Sequence, residues 1–327
     1  MTRDMSTFTR RTALAGLGAL AAPSLVRAQE FPSKPVKIVV PAAPGGALDI
    51  ISRLIAQRAS EIVKQQFFIE NKPGANWIIG MDYVAKAPPD GYTLLFIASS
   101  GITVNPHVFP NMPLDPVKDL APITISTNTD FVLLANPSLP AQNLREFIAH
   151  LKANPGKLNH ASNSATTMLV SALLKAQAGV DYVDVNYRGA SQAIQDTMSG
   201  VTQFCFVDLG TGTGAIDGKT LRPLGVTGAQ RSPLRPDLPT IAEQGLPGYA
   251  VSSATLLMAQ SALPAPIMQR LNAVFREALQ ASEVKQKLTT MAQIVVGNSP
   301  SEAVGLLKPE HEQFGKLIRE RGLKFDQ

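Results

Sequence analysis

The sequence predicts an α/β protein of two lobes, each built around a mostly parallel sheet. Past residue 28, short apolar runs alternate with longer segments in which apolar residues recur at helical spacing, and the alternation restarts after about residue 130. The 327 residues are 45% hydrophobic and 17% charged, which provides a sizeable core and excludes a disordered chain. A chain of about 300 residues tends to divide its core. A ligand is therefore expected in the crevice between the lobes, at the carboxyl ends of strands.

Residues 1–28 are predicted to be an export signal that is excluded from the fold. Arg10 and Arg11 precede an apolar stretch that runs to Val26, and Val26-Arg27-Ala28 fits an A-x-A-like cleavage site. The paired arginines resemble a twin-arginine signal, and an ordinary Sec signal is the alternative. The stretch is too short to span a bilayer as a helix. We expect a soluble, exported, monomeric mature protein that begins near Gln29.

Charge and cysteine usage exclude several classes of protein. Without the first 28 residues the chain has 26 basic and 24 acidic residues and no basic run, so nucleic-acid binding is not expected. Cys205 is the single cysteine and lies in an apolar run, where we expect a buried, unreactive thiol and no disulfide.

The first lobe begins with the strand Val36–Val40, whose branched apolar residues are typical of a buried strand. A Pro/Gly turn over 41–48 follows, and Asp49 is predicted to cap a helix with apolar residues at helical spacing up to residue 63. The next elements are predicted as strands at 67–70 and 93–98, a loop at 71–76, a short helix over 79–87 and a turn at 88–91.

The second half of the chain repeats this scheme. Residues near 121–135 and 247–260 are apolar and extended, as crossovers between two lobes would be. We therefore predict one domain from 29–130 and 252–327, and a second domain from 131–251. Strands are predicted at 121–126, 132–135, 158–161, 183–186, 203–207, 221–226 and 251–259, and helices at 144–154, 166–178, 190–199, 266–281 and from 300 onwards, with Ser299 as N-cap.

Enzyme motifs are missing from the sequence. It contains no Gly-x-Ser-x-Gly elbow, no His-Glu-x-x-His helix and no Walker sequence. The four histidines share no ligand spacing, so no metal site is expected. The stretch Asp208–Gly214 superficially resembles a phosphate loop but lacks the Lys-Ser/Thr pair, and we interpret it as a turn at the edge of a lobe. We expect no catalytic residue and no cofactor.

The turn between the first strand and the first helix favours an anion. Gly45 and Gly46 let backbone N–H groups approach a ligand, and the positive end of the helix dipole adds to the attraction. A carboxylate of Asp49 in the capping position would compete with that anion, unless it faces the helix amides. The alternative interpretation is a tight turn with an ordinary helix cap.

Several segments in order resemble the Bug/TctC family, the extracytoplasmic receptors of tripartite tricarboxylate transporters. They include the Pro-Gly-Gly-Ala-x-Asp turn at 44–49, Glu-Asn-Lys-Pro-Gly-Ala at 70–75 and Ala-Pro-Pro-Asp-Gly-Tyr-Thr-Leu-Leu at 87–95. Asn-Pro at 105–106 and Leu-Pro-Thr-Ile-Ala-Glu at 238–243 extend the likeness over most of the chain. The resemblance implies a type II periplasmic binding fold that closes over a small carboxylate and passes it to a permease with small and large membrane subunits.

The resemblance also implies the ligand-binding residues. The first turn matches well, and the second turn, which follows the strand at 158–161, is about two residues shorter than usual, with Met168 in place of a histidine. Asp208 corresponds to a Phe-Asp-Asn stretch of relatives and would receive a ligand amine or hydroxyl, or cap the turn after it. The residues predicted to bind ligand are Ala43, Pro44, Gly45, Gly46, Ala47, Asp49, Ser162, Asn163, Ser164, Thr166, Thr167 and Asp208.

Two other functions remain open on the sequence alone. A sensory subunit that reports ligand to a membrane signalling protein would use the same closed, liganded form. The second alternative function is that of an enzyme on the same scaffold, because fold does not fix function. Against it, the sequence shows no assembled pair of nucleophile and base. The identity of the carboxylate is not specified by any motif.

Overall fold

The protein is described by a computed structural model over residues 31–109, 111–187 and 189–321. The export signal predicted at 1–28 lies outside these ranges. A ten-stranded mixed sheet has the order β2-β1-β3-β9-β4-β7-β5-β6, and β8 and β10 also pair with β4. The strands are β1 (Val36–Val40), β2 (Phe67–Asn71), β3 (Thr93–Ala98), β4 (Leu120–Ala135), β5 (Asn159–Ser162), β6 (Val183–Asn186), β7 (Phe204–Asp208), β8 (Arg222–Val226), β9 (Ser252–Gln260) and β10 (Ile294–Val295).

Helices pack on both halves of the sheet. In the first helix, Ile51, Ile55 and Ala59 recur at helical spacing and are buried, which contributes about 2 kcal/mol for each large apolar side chain. The helices are α1 (Ala47–Val63), α2 (Ile78–Ala85), α3 (Ser100–Thr103), α4 (Asn105–Val108), α5 (Pro116–Asp119), α6 (Leu144–Ala153), α7 (Ala165–Ala178), α8 (Ala190–Ser199), α9 (Leu209–Asp217), α10 (Ala265–Gln280), α11 (Ser282–Thr290) and α12 (Pro300–Arg321).

Parallel pairing is confined to the outer strands of the two halves. β1 is parallel to β2 and β3, and β5 is parallel to β6 and β7. The long strands between them pair antiparallel, because the chain returns through the middle of the molecule. The sheet is therefore mixed, and the expectation of a mostly parallel sheet holds only for its two outer parts.

Strand β4 passes from one half of the sheet into the other. Residues 120–130 pair with β9, and residues 131–135 pair with β7 and β8. The prediction of two separate strands at 121–126 and 132–135 is wrong, because the polar residues between them stay in the ladder. Thr127 and Ser126, both buried, donate or accept hydrogen bonds with the Thr255 hydroxyl at 2.8 and 2.7 Å.

Thr227 connects the two segments that pass between the halves of the sheet, just beyond the point where direct pairing of β4 with β9 ends. The buried Thr227 hydroxyl accepts a hydrogen bond from the amide of Phe131 at 2.9 Å and donates one to the carbonyl of Val251 at 2.6 Å. Phe131 lies just after the point where β4 changes sheet halves, and Val251 directly precedes β9. Thr227 therefore holds β4 and the segment before β9 together where both pass between the halves of the sheet.

Helix α12 contacts the cores of both halves. Ala303 and Leu307 pack with β3 and the first part of β4, whereas Phe314, Leu317 and Ile318 pack in the cluster that contains Phe147 and Phe204. Ser299 caps this helix as predicted, since its Oγ accepts from the amide of Glu302. Within the described residues, no helix is both long and apolar enough to cross a membrane.

Candidate functional site

A cavity of about 550 Å³ opens between the two halves of the sheet. Its walls come from the first turn of α1, the loop before α2, the carboxyl ends of β3 and β7, the start of β9 and the segment after α11. The described lining residues are Ala47, Leu48, Ile51, Trp77, Ala98, Thr129, Asp208, Gly210, Thr211, Ser253, Thr255, Thr290, Met291, Ala292 and Gln293. This position, at the carboxyl ends of strands from both halves, is the crevice that the sequence predicted.

The turn that precedes α1 is held from behind by a polar cluster. The Asp49 carboxylate accepts hydrogen bonds from the amide of Gly45 at 2.9 Å and from Arg53 Nε at 3.0 Å. The Asn71 amide group donates to Asp49 at 2.9 Å and to the carbonyl of Ala42 at 3.0 Å. Asn71 therefore ties the end of β2 to the start of the turn.

Asp49 does not cap the helix, and that prediction is wrong. The N-cap is Gly46, which has no side chain to bond to the helix, and Asp49 is the third helical residue. Its hydrogen bonds with Arg53, and with Gly45 and Asn71, lower the pKa of the buried Asp49 carboxyl to about 2. The negative charge at this turn is therefore paired with Arg53 instead of facing an incoming anion.

Two helices begin at the cavity. Ala47 and Leu48 of α1 and Gly210 and Thr211 of α9 line it, and the first amides of any helix have no acceptor within the helix. Neither N-cap, Gly46 nor Asp208, gives a side-chain hydrogen bond to its helix. The cavity thus has two positive helix ends in its wall.

The segment after Asp208 is helical, so its interpretation as a turn is wrong. Gly210 lies against the loop after α11, since a Cβ there would be 2.5 Å from the Cβ of Ala292. A Cβ on Gly212 would be 2.9 Å from Val132 Cγ1. Close packing therefore requires these glycines and overrides their low helix propensity. Asp208 itself lines the cavity, and burial raises the pKa of its carboxyl.

The second predicted turn makes most of its hydrogen bonds internally. The amides of Asn163 and Ser164 both donate to the Thr167 hydroxyl, at 3.1 and 3.0 Å, and the Thr167 amide donates to Ser164 Oγ at 3.2 Å. Ser162 is buried and its hydroxyl lies 3.1 Å from that of Thr167. Ser164 is the N-cap of α7. Ser162, Asn163, Ser164, Thr166 and Thr167 are not among the described lining residues of the cavity.

The strand and the helix that flank this second turn share one carboxylate. Asp184 of β6 lies 2.7 Å from His160 Nδ1 in β5, and accepts from Ser171 and Lys175 of α7 at 2.8 and 2.7 Å. Although desolvation opposes it, these hydrogen bonds lower the pKa of Asp184 to about 2. The network fixes where β5 ends and α7 begins, and thus supports the turn between them.

The structure therefore places the predicted residues in three groups. Ala47 and Asp208 line the same cavity. Ala43–Gly46 form the exposed turn that leads into Ala47, with Asp49 buried behind it. Residues 162, 163, 164, 166 and 167 form a separate turn in the other half, and their contact with a ligand stays a prediction.

Sequence reasoning missed most of the cavity wall. Trp77, Thr129, Thr255 and Met291 line the cavity but come from four elements that are distant in sequence. Trp77 had one available signal, because it is the single tryptophan of the sequence and follows the carboxyl end of a predicted strand. The others are recognisable only once β4 and β9 are known to pair. Among the described residues, no group of three or more His, Cys, Asp or Glu side chains is placed to hold a metal ion.

Comparison with known proteins decides the family. The model of the tripartite tricarboxylate transporter family receptor, TctC, matches residues 51–323. The chain belongs to the TctC family. The resemblance drawn from the motifs is therefore confirmed, and so is the two-lobed fold of periplasmic solute-binding proteins.

Individual relatives and solved structures align over most of the chain. A UPF0065 protein from the tcbD-tcbE intergenic region of Pseudomonas sp. (strain P51) is 36% identical over 99% of this chain and 98% of its own. A solved periplasmic transporter is 33% identical with a TM-score of 0.73, over 90% of this chain and all of that one. R. palustris Rpa4515, solved with adipate, is 30% identical with a TM-score of 0.74, over 90% of this chain and 99% of that one.

Proposed function

We propose that this TctC-family chain captures a small organic carboxylate in its cleft and delivers it to a permease with a small and a large membrane subunit, without catalysing a reaction. The lobes would comprise residues 29–130 with 252–327, and residues 131–251. The mature chain would begin near Gln29, be monomeric and act in the periplasm. The family match and the adipate bound by the R. palustris relative support this proposal.

The observation that carries the proposal is the uncapped positive end of α1 in the wall of the cavity. Gly46 gives the first amides of the helix no side-chain acceptor, and Ala47 and Leu48 line the cavity. Since Arg53 pairs with Asp49, an incoming anion is not repelled by the turn's own acidic residue. Backbone amides and a helix dipole can hold a carboxylate without a basic side chain.

The second turn would complete the site when the lobes close. Its amides at Asn163 and Ser164 already have an acceptor in Thr167, so its contribution would come from the first amides and hydroxyls of α7, including Thr166. Asp208 would hydrogen-bond a ligand hydroxyl or amine at the opposite wall. A small ligand bound in both lobes would shift the population towards the closed form.

Replacing Gly46 with valine tests this proposal. Gly46 has φ −75°, and an added Cβ would lie 3.6 Å from the Ala43 carbonyl oxygen, so the free protein accommodates a side chain there. That side chain would nevertheless block the approach of a carboxylate to the amides. Calorimetric titration with adipate and with benzoate should show at least tenfold weaker binding by Gly46→Val, and a smaller loss for Ser162→Ala.

Gly305→Val is the matched control, because Gly305 lies in α12 and a Cβ added there would have no heavy atom within 4 Å apart from the neighbouring backbone of its own helix. Gly305→Val should bind adipate and benzoate with the same affinity as the parent protein. If Gly46→Val binds as tightly as the parent, the carboxylate lies elsewhere. If the parent binds neither acid nor any other carboxylate in a broader panel, the proposed function is wrong.

A further inference from the structure

Trp77 is the one tryptophan in the sequence, and it lines the cleft. The side chain is half-buried, so part of the indole is still available to a ligand. Aromatic side chains contribute strongly to binding because they bury a large area and stack with defined geometry. A half-buried indole in a concave wall is therefore a strong candidate for a ligand contact.

The backbone that presents Trp77 is strained. Ala75, Asn76 and Trp77 have φ values of 45°, 50° and 74°, so three successive residues with side chains occupy the left-handed region that favours glycine. The buried Asn105 holds this turn, since its side-chain amide donates to the Asn76 carbonyl at 2.8 Å. Such strain persists where the surrounding structure enforces it, and it concentrates at functional sites.

The indole packs against a glycine of the neighbouring helix α3. A Cβ on Gly101 of α3 would lie 3.3 Å from Trp77 Cε3, so the ring packs closely on a residue that has no side chain. One part of the indole is thus fixed by protein while the remainder lines the cavity. A fixed ring loses little conformational freedom when a ligand binds.

The rest of the described cavity wall combines apolar side chains with neutral polar ones and has few charges. Leu48, Ile51, Ala98 and Met291 line it together with Trp77. Asp208 is the one charged side chain among the described lining residues. A ligand with two or three carboxylates would therefore find backbone amides, hydroxyls and the Gln293 side-chain amide, but no basic side chain among the described lining residues, and would also face Asp208.

We infer that Trp77 is a specificity-determining contact, and that the ligand class is a monocarboxylate with a flat aromatic ring. The carboxylate would lie at the first amides of α1, which is the step that rests on the proposed function, and the ring would stack on Trp77. Stacking of aromatic rings adds to the effect of buried area alone.

The single tryptophan makes a direct assay possible in the full chain. Its emission should shift on titration with benzoate, and benzoate should bind about fivefold tighter than cyclohexanecarboxylate, which has the same charge but no flat ring. By calorimetry, Trp77→Leu should bind benzoate about tenfold more weakly and lose the preference for the flat acid. Trp77→Phe should retain the preference. Tyr83→Leu, which removes an exposed aromatic side chain from α2 outside the cavity lining, should bind as the parent does.

The possible failures are distinguishable. If adipate binds and Gly46→Val weakens it, while benzoate does not bind, this inference is overturned and the proposed function stands. The same holds if benzoate binds without shifting the emission of Trp77 and binds equally tightly to Trp77→Leu. If cyclohexanecarboxylate binds as tightly as benzoate and Trp77→Leu has no effect on either, the ring contact is likewise wrong. If no carboxylate binds the parent, both proposals fail.

Discussion

Replacing Asp49 with asparagine removes the charge behind the first turn while retaining its shape. In the parent, the buried carboxylate accepts from the Gly45 amide, from Arg53 and from Asn71, all within 3.0 Å. An asparagine oxygen can still accept one of these hydrogen bonds, but the ion pair with Arg53 is lost. The substitution therefore removes the ion pair together with some of its hydrogen bonds, and the pH dependence of the loss identifies the contribution of the charge.

The pKa of Asp49 gives the size and the pH range of this contribution. Its fall from 3.8 to about 2 corresponds to about 2 kcal/mol at neutral pH, at roughly 1.4 kcal/mol for each unit. Because the Arg53 side chain is half exposed, screening reduces this to about 1–2 kcal/mol. The folded-state pKa is lowered, so the stabilisation is complete above the unfolded value and is lost as the pH falls from about 4 towards 2.

Urea unfolding followed by circular dichroism measures the effect. Asp49→Asn should lower the free energy of unfolding by about 1–2 kcal/mol at pH 7, and by roughly half as much at pH 3. Glu61→Gln is the control, since Glu61 forms an exposed pair with Arg58 in the same helix and should cost less than about 0.5 kcal/mol. An Asp49→Asn loss that is the same at both pH values, or no loss, would refute this reasoning.

Three further outcomes are expected. Thr227→Val should lower the free energy of unfolding by about 2 kcal/mol in the same urea assay, because it leaves the Phe131 amide and the Val251 carbonyl without their buried partner; an unchanged value would contradict the role of Thr227 between β4 and the segment before β9. Burial raises the pKa of Glu310 to about 7, so stability should decline between about pH 4.5 and 7, and Glu310→Gln should remove that decline in thermal melts. Burial raises the pKa of the Cys205 thiol to about 12, so iodoacetamide should label it only in denaturant, as mass spectrometry would show.

Local sequence patterns correctly predicted the elements whose bounds depend on apolar spacing and turn residues. They missed the elements whose bounds depend on contacts with residues that are distant in sequence. The bounds of β1, β6 and α8 match their apolar spacing and turn residues. β4 was divided in the prediction because residues 127–130 are polar, although Thr255 and Gln293, more than 120 residues away, satisfy Thr127 in the ladder. The glycines of α9 predicted a turn, but Gly210 and Gly212 are required by contacts with Ala292 and Val132.

In the candidate site, too, the sequence predicted the local turn but not the contacts between residues that are distant in sequence. The first turn follows from two glycines between a strand and a helix. The contacts of Asp49 with Arg53 and Asn71 do not, because the packing of β2 beside β1 brings Asn71 to the turn. Trp77 enters the cleft through a left-handed turn that Asn105 holds, and no propensity predicts such a conformation for three residues with side chains.

The most direct test of the central claim is to observe the amides at the start of α1 while a carboxylate binds. In an NMR titration of the isotope-labelled chain with benzoate and with adipate, the amide protons of Gly46, Ala47 and Leu48 should move downfield, as expected for new hydrogen bonds to an anion. The Gly305 amide should not move. Saturable binding that leaves the amides of residues 46–48 unchanged would contradict the account.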